Sequence, residues 1–285
     1  MDFSSEEILN FIDLCLHEDV GDGDHSSLGA ISADSQAEST VYFKSDGILA
    51  GQVLASVICK RIDPLIQWDS FSNDGDWVKK GTIVSKASGP AQSLLKAERL
   101  LLNFMQRLSG IATTTAHAVS LVKDTSVTLL DTRKTTPGLR YFEKWAVKTG
   151  GGANHRFGLF DMVMLKDNHV DSAGSITEAV NSTWNYLQTN QKDLKIEVET
   201  RNLNEVKEAL KTAKVDRIML DNFTPEACIE AIVIIGDQCE TEASGGIQMS
   251  NLKSYASTGV DFISLGFLTH SYESMDISMK TKLIK

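Results

Sequence analysis

The 285-residue chain has only four cysteines, Cys15, Cys59, Cys228 and Cys239, widely spaced and without a C-x-x-C pair. That excludes a disulfide framework and a zinc knuckle, leaving free thiols in a reducing compartment. A basic leader is missing too, since the chain begins Met-Asp-Phe-Ser-Ser-Glu-Glu, acidic where targeting peptides are basic. No apolar run approaches the length of a bilayer; Ala231–Ile235 is typical of the longest. Nor is there a surplus of basic charge: 28 Lys and Arg stand against 38 Asp and Glu, a net −10. A nucleic-acid binder normally carries a basic footprint. These absences predict a soluble cytoplasmic protein that binds neither nucleic acid nor membrane.

The pattern that is present divides the chain in two. Ser4-Ser5-Glu6-Glu7 has capping-box spacing, and Ile8, Phe11, Ile12, Cys15 and Leu16 follow on one helical face. Residues 39–88 read as strands separated by turns such as Ser72-Asn73-Asp74-Gly75, and Ala91–Val122 as one long amphipathic helix. Beyond Ser126 six short apolar runs appear: Val127–Leu130, Met162–Leu165, Leu194–Val198, Arg217–Leu220, Cys239–Thr241 and Phe262–Leu265. Helical patterns fill most of the gaps, as in Ile176–Leu187, Leu203–Ala213 and Thr224–Ile235, which is the signature of βαβ units and a parallel sheet. The expected architecture is α/β: a reduced, about six-stranded parallel α/β barrel over residues 111–270, preceded by an N-terminal α+β open-sandwich domain over residues 1–110.

Polar residues recur just past these runs. They are Asp131-Thr132-Arg133-Lys134, Lys166-Asp167-Asn168-His169, Glu199, Asp221-Asn222, Glu242-Ala243-Ser244-Gly245-Gly246 and Gly266. The C-terminal ends of parallel strands are where α/β barrels gather their active sites. Between Arg133 and Lys166 there are seven basic residues and two acidic ones, so 34 residues carry +5 and the rest −15. Lys144 and Lys148 read as a solvated helix face. Arg133, Lys134 and Lys166 instead follow apolar strands directly, and converging cations there call for an anionic substrate. Gly150-Gly151-Gly152 runs into Ala153-Asn154-His155-Arg156 without the Lys-Ser/Thr of a Walker loop, a sequence suited to close backbone approach beside Arg156. Ser244-Gly245-Gly246 and Gly266 follow the last two strands, where backbone N–H groups often cradle phosphate, and His270 is a further donor. Glu199 and Asp221 need a reason to stand in a basic mouth. They are either salt-bridge partners of Lys134 or Lys166, or holders of Mg²⁺, which takes few carboxylates and completes its shell with phosphate and water. His17, His25, His117 and His169 lack a second ligand at metal spacing and read as structural.

The run Asp131–Arg140, the Gly150–Arg156 stretch and Leu165–His169 resemble the quinolinate phosphoribosyltransferase family, the carboxylating nicotinate-nucleotide pyrophosphorylases of NAD synthesis. The resemblance extends to Glu18–Asp24, Glu98-Arg99, Asn103-Phe104, Leu108–Thr113, Glu197–Glu199, Leu220–Phe223, Ser244–Gly246 and Thr269–Ser271. Departures at Trp145 and Leu165 touch no charged site residue. The resemblance implies transfer of phosphoribosyl from phosphoribosyl pyrophosphate to quinolinate, with loss of CO₂ and pyrophosphate. It implies that Arg133, His155 and Arg156 hold the quinolinate carboxylates, with Thr132 beside them, and that Lys134 and Lys166 bridge towards the donor. Glu199 and Asp221 would hold ribose hydroxyls and Mg²⁺. Ser244, Gly245, Gly246, Leu265, Gly266, Phe267 and His270 would take phosphate. It further implies a homodimer in which Arg99 reaches the neighbouring subunit's site, and return of residues 271–285 to the N-terminal domain.

Three other readings are open at this stage. The related phosphoribosyltransferase-like protein associated with molybdate transport shares the fold, but the Asn-His-Arg and Lys-Asp-Asn-His strings favour quinolinate. A barrel aldolase with Lys166 as Schiff base needs a desolvated lysine of low pKa. A phospho-sugar-binding scaffold without catalysis is the third.

Overall fold

The computed structural model describes residues 3–284. Twelve strands are present among them. Five precede the long helix Ala91–Leu121: β1 (Gln36–Phe43), β2 (Gly47–Ile48), β3 (Gln67–Ser70), β4 (Trp77–Val78) and β5 (Ile83–Pro90). Six follow it: β6 (Thr128–Leu130), β7 (Val163–Leu165), β8 (Ile196–Thr200), β9 (Arg217–Asp221), β10 (Glu240–Ser244) and β11 (Phe262–Ser264). The last is β12 (Ile277–Ile284). The chain forms two compact units. One takes residues up to Thr114, Lys148–Gly150 and Tyr272 onward; the other takes Thr115–Val147 and Gly151–Ser271.

The first unit is built on an antiparallel sheet in the order β12-β1-β5-β3. Along β1, Ala37, Ser39, Val41 and Phe43 are fully buried while the residues between them are not, the period of two expected of a sheet with one covered face. The helix Gln52–Ile62 contributes Leu54, Ala55, Ile58 and Cys59 to the core. Its first residue, Gln52, is buried and donates its amide N–H groups to the carbonyls of Ser72 and Val84, tying the helix to the strands beside it. The C-terminal strand pairs with β1 along its whole length, from Phe43 opposite Ile277 to Gln36 opposite Ile284. The chain reaches that strand by crossing the long helix at Gly110. A β-carbon there would lie against the Glu273 carbonyl oxygen, 3.0 Å from its carbon and 3.1 Å from the Ser274 Cα.

The second unit is a six-stranded, all-parallel sheet in the order β6-β11-β10-β9-β8-β7, the reduced α/β barrel expected from the repeating runs. All six expected strands form. Those expected as Leu194–Val198 and Cys239–Thr241 run on to Thr200 and Ser244, because Glu199 and the buried Glu242 continue the strands where an apolar-run criterion stops. The helices Ile176–Thr189, Leu203–Lys211 and Pro225–Ile235 match the helical patterns. Their starts are capped by Ser175, Asn202 and Thr224, whose side-chain oxygens accept from the first turn. The first helix begins at Glu6, but the Ser5 side chain makes no capping bond.

Between β6 and β7 the strand ladder is interrupted. There Ala153 forms a bridge to Leu130, its N–H donating to Leu129 O at 2.8 Å and its carbonyl accepting from Asp131 N at 3.2 Å. The triple-glycine segment thus enters the seam of the barrel. All four cysteines are free. No helix of the described residues is long and apolar enough to cross a membrane.

Gly110→Ala separates two opposed effects. In an exposed helix the change stabilises by about 1 kcal/mol. Here the new methyl group must displace the backbone at Glu273, an overpacking cost of about 1–3 kcal/mol or more. Urea denaturation should therefore show a net loss of stability, and an unchanged or higher midpoint would disprove the close crossing.

Candidate active site

In a parallel barrel alternate strand residues point inward, so each strand delivers its polar groups at fixed heights. Met164, Met219 and Ser264 line the floor of a cavity of about 590 Å³ at the C-terminal ends of the strands. Around it stand Thr132, Arg133, Lys134, His155, Arg156, Lys166, Glu199, Asp221, Asn222, Ser244, Gly245 and Gly246. An adjoining cavity of about 640 Å³ shares Thr132, Lys134, Ser244, Gly245, Gly246 and Ser264, and adds Gly266, Phe267, His270, Ser271 and the Ile247–Ser250 loop.

Arg133 and Arg156 both line the first cavity. Burial lowers the Arg156 pKa, and the Arg133 charge lowers it further, so the two like charges share one mouth and repel each other. Arg156 donates one bond inward, to Met162 O at 3.1 Å. Lys166 donates to Glu199 Oε2 at 2.6 Å, with about half of its side chain exposed. This is the salt-bridge reading of Glu199, and a paired, hydrated lysine is a poor Schiff-base nucleophile. Asp221 has no lysine partner at bonding distance among the described residues. Burial raises its pKa, and the Glu199 carboxylate raises it further. Two mutually repelling carboxylates served by one lysine form a donor set suited to Mg²⁺, which commonly takes one or two carboxylates and keeps its remaining positions for phosphate and water.

The glycine end of the site is a backbone cradle. Asn222, at φ +57°, donates its N–H to Ser244 O at 2.8 Å. Gly245, at φ +88°, lies so close that a β-carbon would come 2.8 Å from Asn222 N, so only glycine fits. Lys134 is anchored through its own backbone, its N–H donating to Thr132 Oγ1 and its carbonyl accepting from Thr269 Oγ1. His270 is exposed, with Nδ1 2.6 Å from Ser271 Oγ.

Not every expected residue comes to the cavities. Leu265 is fully buried and its N–H donates to Leu130 O, so Ser264 takes the inward place one residue earlier. Arg99 is exposed on the long helix and lines neither cavity. His155 does line the first cavity, but protein groups engage both ring nitrogens. Nδ1 accepts from Arg156 N at 2.7 Å, and Nε2 lies 3.1 Å from Glu197 and 3.4 Å from Glu242. Lys144 overturns its assignment to a solvated face. It is buried, paired with the buried Asp131, and donates to His155 O at 3.0 Å. Lys148 is exposed as expected.

Glu197 and Glu242, which the sequence pattern names without assigning a role, are fully buried below the cavity. Arg217 satisfies one side of this cluster, donating to Glu242 at 3.0 Å and Glu240 at 2.9 Å while stacking 3.9 Å over the Phe262 ring. Burial raises the Glu197 pKa. It also opposes a charge on His155, yet the hydrogen bonds and charges of Glu197 and Glu242 carry the His155 pKa up to about 9. Period-two alternation could have placed Met219, Glu197 and Glu242 on the inner face, each two residues before an expected site residue.

A parallel barrel whose mouth is lined by two arginines, two lysines and a glycine cradle has the features of α/β-barrel enzymes acting on anionic, phosphorylated substrates. Comparison with known proteins is more specific. Residues 111–280 match the quinolinate phosphoribosyl transferase C-terminal domain, and residues 24–109 the N-terminal domain of the same family. A Nicotiana tabacum protein named quinolinate phosphoribosyltransferase [decarboxylating] 1b is 44% identical, over 96% of this chain and 82% of its own. A Bacillus subtilis protein named probable nicotinate-nucleotide pyrophosphorylase [carboxylating] is also 44% identical, over 93% of this chain and 90% of its own. The crystal structure of NadC from Streptococcus pyogenes superposes with a TM-score of 0.95 at 37% identity, covering both chains fully. The chain belongs to the quinolinate phosphoribosyltransferase family.

The buried proton gives a signed pH effect. Because the folded state raises the His155 pKa to about 9, its contribution is complete below about pH 6.5 and is lost as pH rises through 9. The Tm should therefore fall by several degrees between pH 6.5 and 9.5, and Glu197→Gln should flatten that slope. Parallel slopes in the two proteins would refute the dependence of the His155 pKa on Glu197.

Proposed function

We propose that this protein transfers the phosphoribosyl group of phosphoribosyl pyrophosphate to quinolinate, releasing pyrophosphate and CO₂ and forming nicotinate mononucleotide. The observation that carries this reading is the continuity of the two cavities, which joins Arg133 and Arg156 to the Ser244–Gly246 cradle through Lys134. One guanidinium for each of two adjacent carboxylates fits a pyridine-2,3-dicarboxylate. The N–H-rich cradle, with Gly266 and His270, fits the phosphate of the ribosyl donor.

The pyridine nitrogen is itself the nucleophile, so the residues need only position and neutralise. Arg133 and Arg156 hold the ring so that its nitrogen faces C1 of the ribose. As the C1–oxygen bond breaks, positive charge develops on the ribose, where Glu199 and Asp221 tolerate it, and negative charge develops on pyrophosphate, where Lys134 and Lys166 receive it. Loss of CO₂ then leaves an electron pair on the ring carbon, which the surrounding cations stabilise until it takes a proton. Glu199 and Asp221 would hold Mg²⁺, directly or through water, and the ion supplies further charge neutralisation on the pyrophosphate. His155 orients Arg156 through its backbone N–H.

Arg99 belongs to a homodimer on this reading, reaching the partner's site from its exposed position on the long helix. The unpaired thiols, with Cys59 and Cys228 buried, support a reducing compartment, the cytoplasm.

Incubation with quinolinate, phosphoribosyl pyrophosphate and Mg²⁺ should release CO₂ and nicotinate mononucleotide in equal amounts. Turnover of nicotinate with none of quinolinate would overturn the assignment. Separately inactive Lys134→Ala and Arg99→Ala proteins, mixed and re-dimerised, should regain activity because each mixed dimer has one intact site. No recovery would count against a shared site.

A further inference from the structure

The barrel ladder fails at the point where the two arginines must be held. After the Ala153–Leu130 bridge, the segment carrying Arg133 and the segment carrying Arg156 share two further direct bonds, both to the Asp131 carboxylate: from His155 N at 2.9 Å and from Asn154 Nδ2 at 2.6 Å. Two side chains of the helix Arg140–Thr149 span the remaining gap. Lys144 bridges Asp131, two residues before Arg133, and the His155 carbonyl, one residue before Arg156. Arg140, one turn earlier, bridges the Arg133 carbonyl at 3.5 Å and the Phe157 carbonyl, one residue past Arg156, at 3.1 Å, while its Nε donates to Thr135 at 3.0 Å. One cationic rung thus lies on each side of the guanidinium pair, and both spring from positions i and i+4 of one helix face. Glu143 adds a third tie, accepting from Thr136 N at 3.1 Å.

We propose that Arg140 and Lys144 are positioning residues that fix the spacing of Arg133 and Arg156, and thereby set the preference for a dicarboxylate over a monocarboxylate. The inference rests on the quinolinate assignment for its substrate, but the spacing itself is a binding property. Two like-charged guanidiniums separate unless something holds them. A pair of carboxylates on adjacent ring carbons accepts one separation only, whereas a single carboxylate is satisfied by either arginine alone. Loosening the rungs should therefore weaken a dicarboxylate selectively. The phosphoribosyl donor, bound on the opposite wall, should be little affected.

Arg140→Met tests this with the helix retained, checked by circular dichroism. Arg140→Lys is a second variant that keeps the charge and loses the fork, in case the first does not fold. In the steady state the KM for quinolinate should rise at least tenfold in Arg140→Met and about threefold or more in Arg140→Lys, with the KM for phosphoribosyl pyrophosphate within twofold of wild type. Independently of turnover, calorimetry with benzene-1,2-dicarboxylate and benzoate should show the wild-type preference for the dicarboxylate reduced at least fivefold in either variant. An unchanged preference, or an equal rise in both KM values, overturns the proposal. A wild-type protein that prefers the dicarboxylate but does not turn over quinolinate overturns the assigned reaction instead, and the binding ratios still decide the role of Arg140.

Discussion

The site depends on a buried ion pair, Lys144 with Asp131, each almost wholly removed from solvent. Taking two charges out of water costs several kcal/mol for each ion, and their attraction alone seldom repays it. Burial raises the Asp131 pKa and lowers that of Lys144, each shift opposed by the partner's charge. What tips the balance is the hydrogen bonding around the pair. Asp131 also accepts from His155 N and Asn154 Nδ2, and Lys144 donates to His155 O. A hydrophobic pair of similar volume could fill the space as well. It could not tie the end of β6 to the Asn154–Arg156 segment, which is the geometric task at this seam.

The same logic governs the second buried cluster. Glu197, Glu242, His155 and Arg217 occupy the barrel interior, where an eight-stranded α/β barrel holds mainly apolar layers. Their charges nearly cancel once one proton is retained, so the group adds little net field beneath a mouth that must remain cationic. Arg217 seals it from below against Phe262. His155 joins the two clusters, with its backbone on the Asp131–Lys144 pair and its ring on Glu197 and Glu242.

Much of this was legible in the sequence because the strands are short apolar runs that end in charged residues. That spacing placed Arg133, Lys134, Lys166, Glu199 and Asp221 at one mouth. What was hidden follows from burial of charge. Lys144 sits beside Glu143 in a helix that looks half polar, and only its partner's position, Asp131 directly after Leu129-Leu130, signals that a buried cation is required. In Ile196-Glu197-Val198-Glu199 the alternation marks both glutamates as facing the same way. The direction is the barrel interior rather than solvent, because both faces of a parallel barrel strand are covered. Leu265 failed for the same reason with the parity reversed. The closeness of Gly245 to Asn222 is a tertiary property that no local pattern contains.

An interrupted ladder is normally a weakness in a barrel, since unpaired backbone groups must find partners elsewhere. Here the interruption admits the Gly150–Arg156 segment, and the side chains that satisfy the seam also tie together the segments that carry Arg133 and Arg156. A closed ladder between β6 and β7 would leave no route for Arg156 into the mouth opposite Arg133. The net charge of −10 fits the same arrangement. The net positive excess falls on the 34 residues from Arg133 to Lys166, where short, buried restraints can hold like charges against their own repulsion.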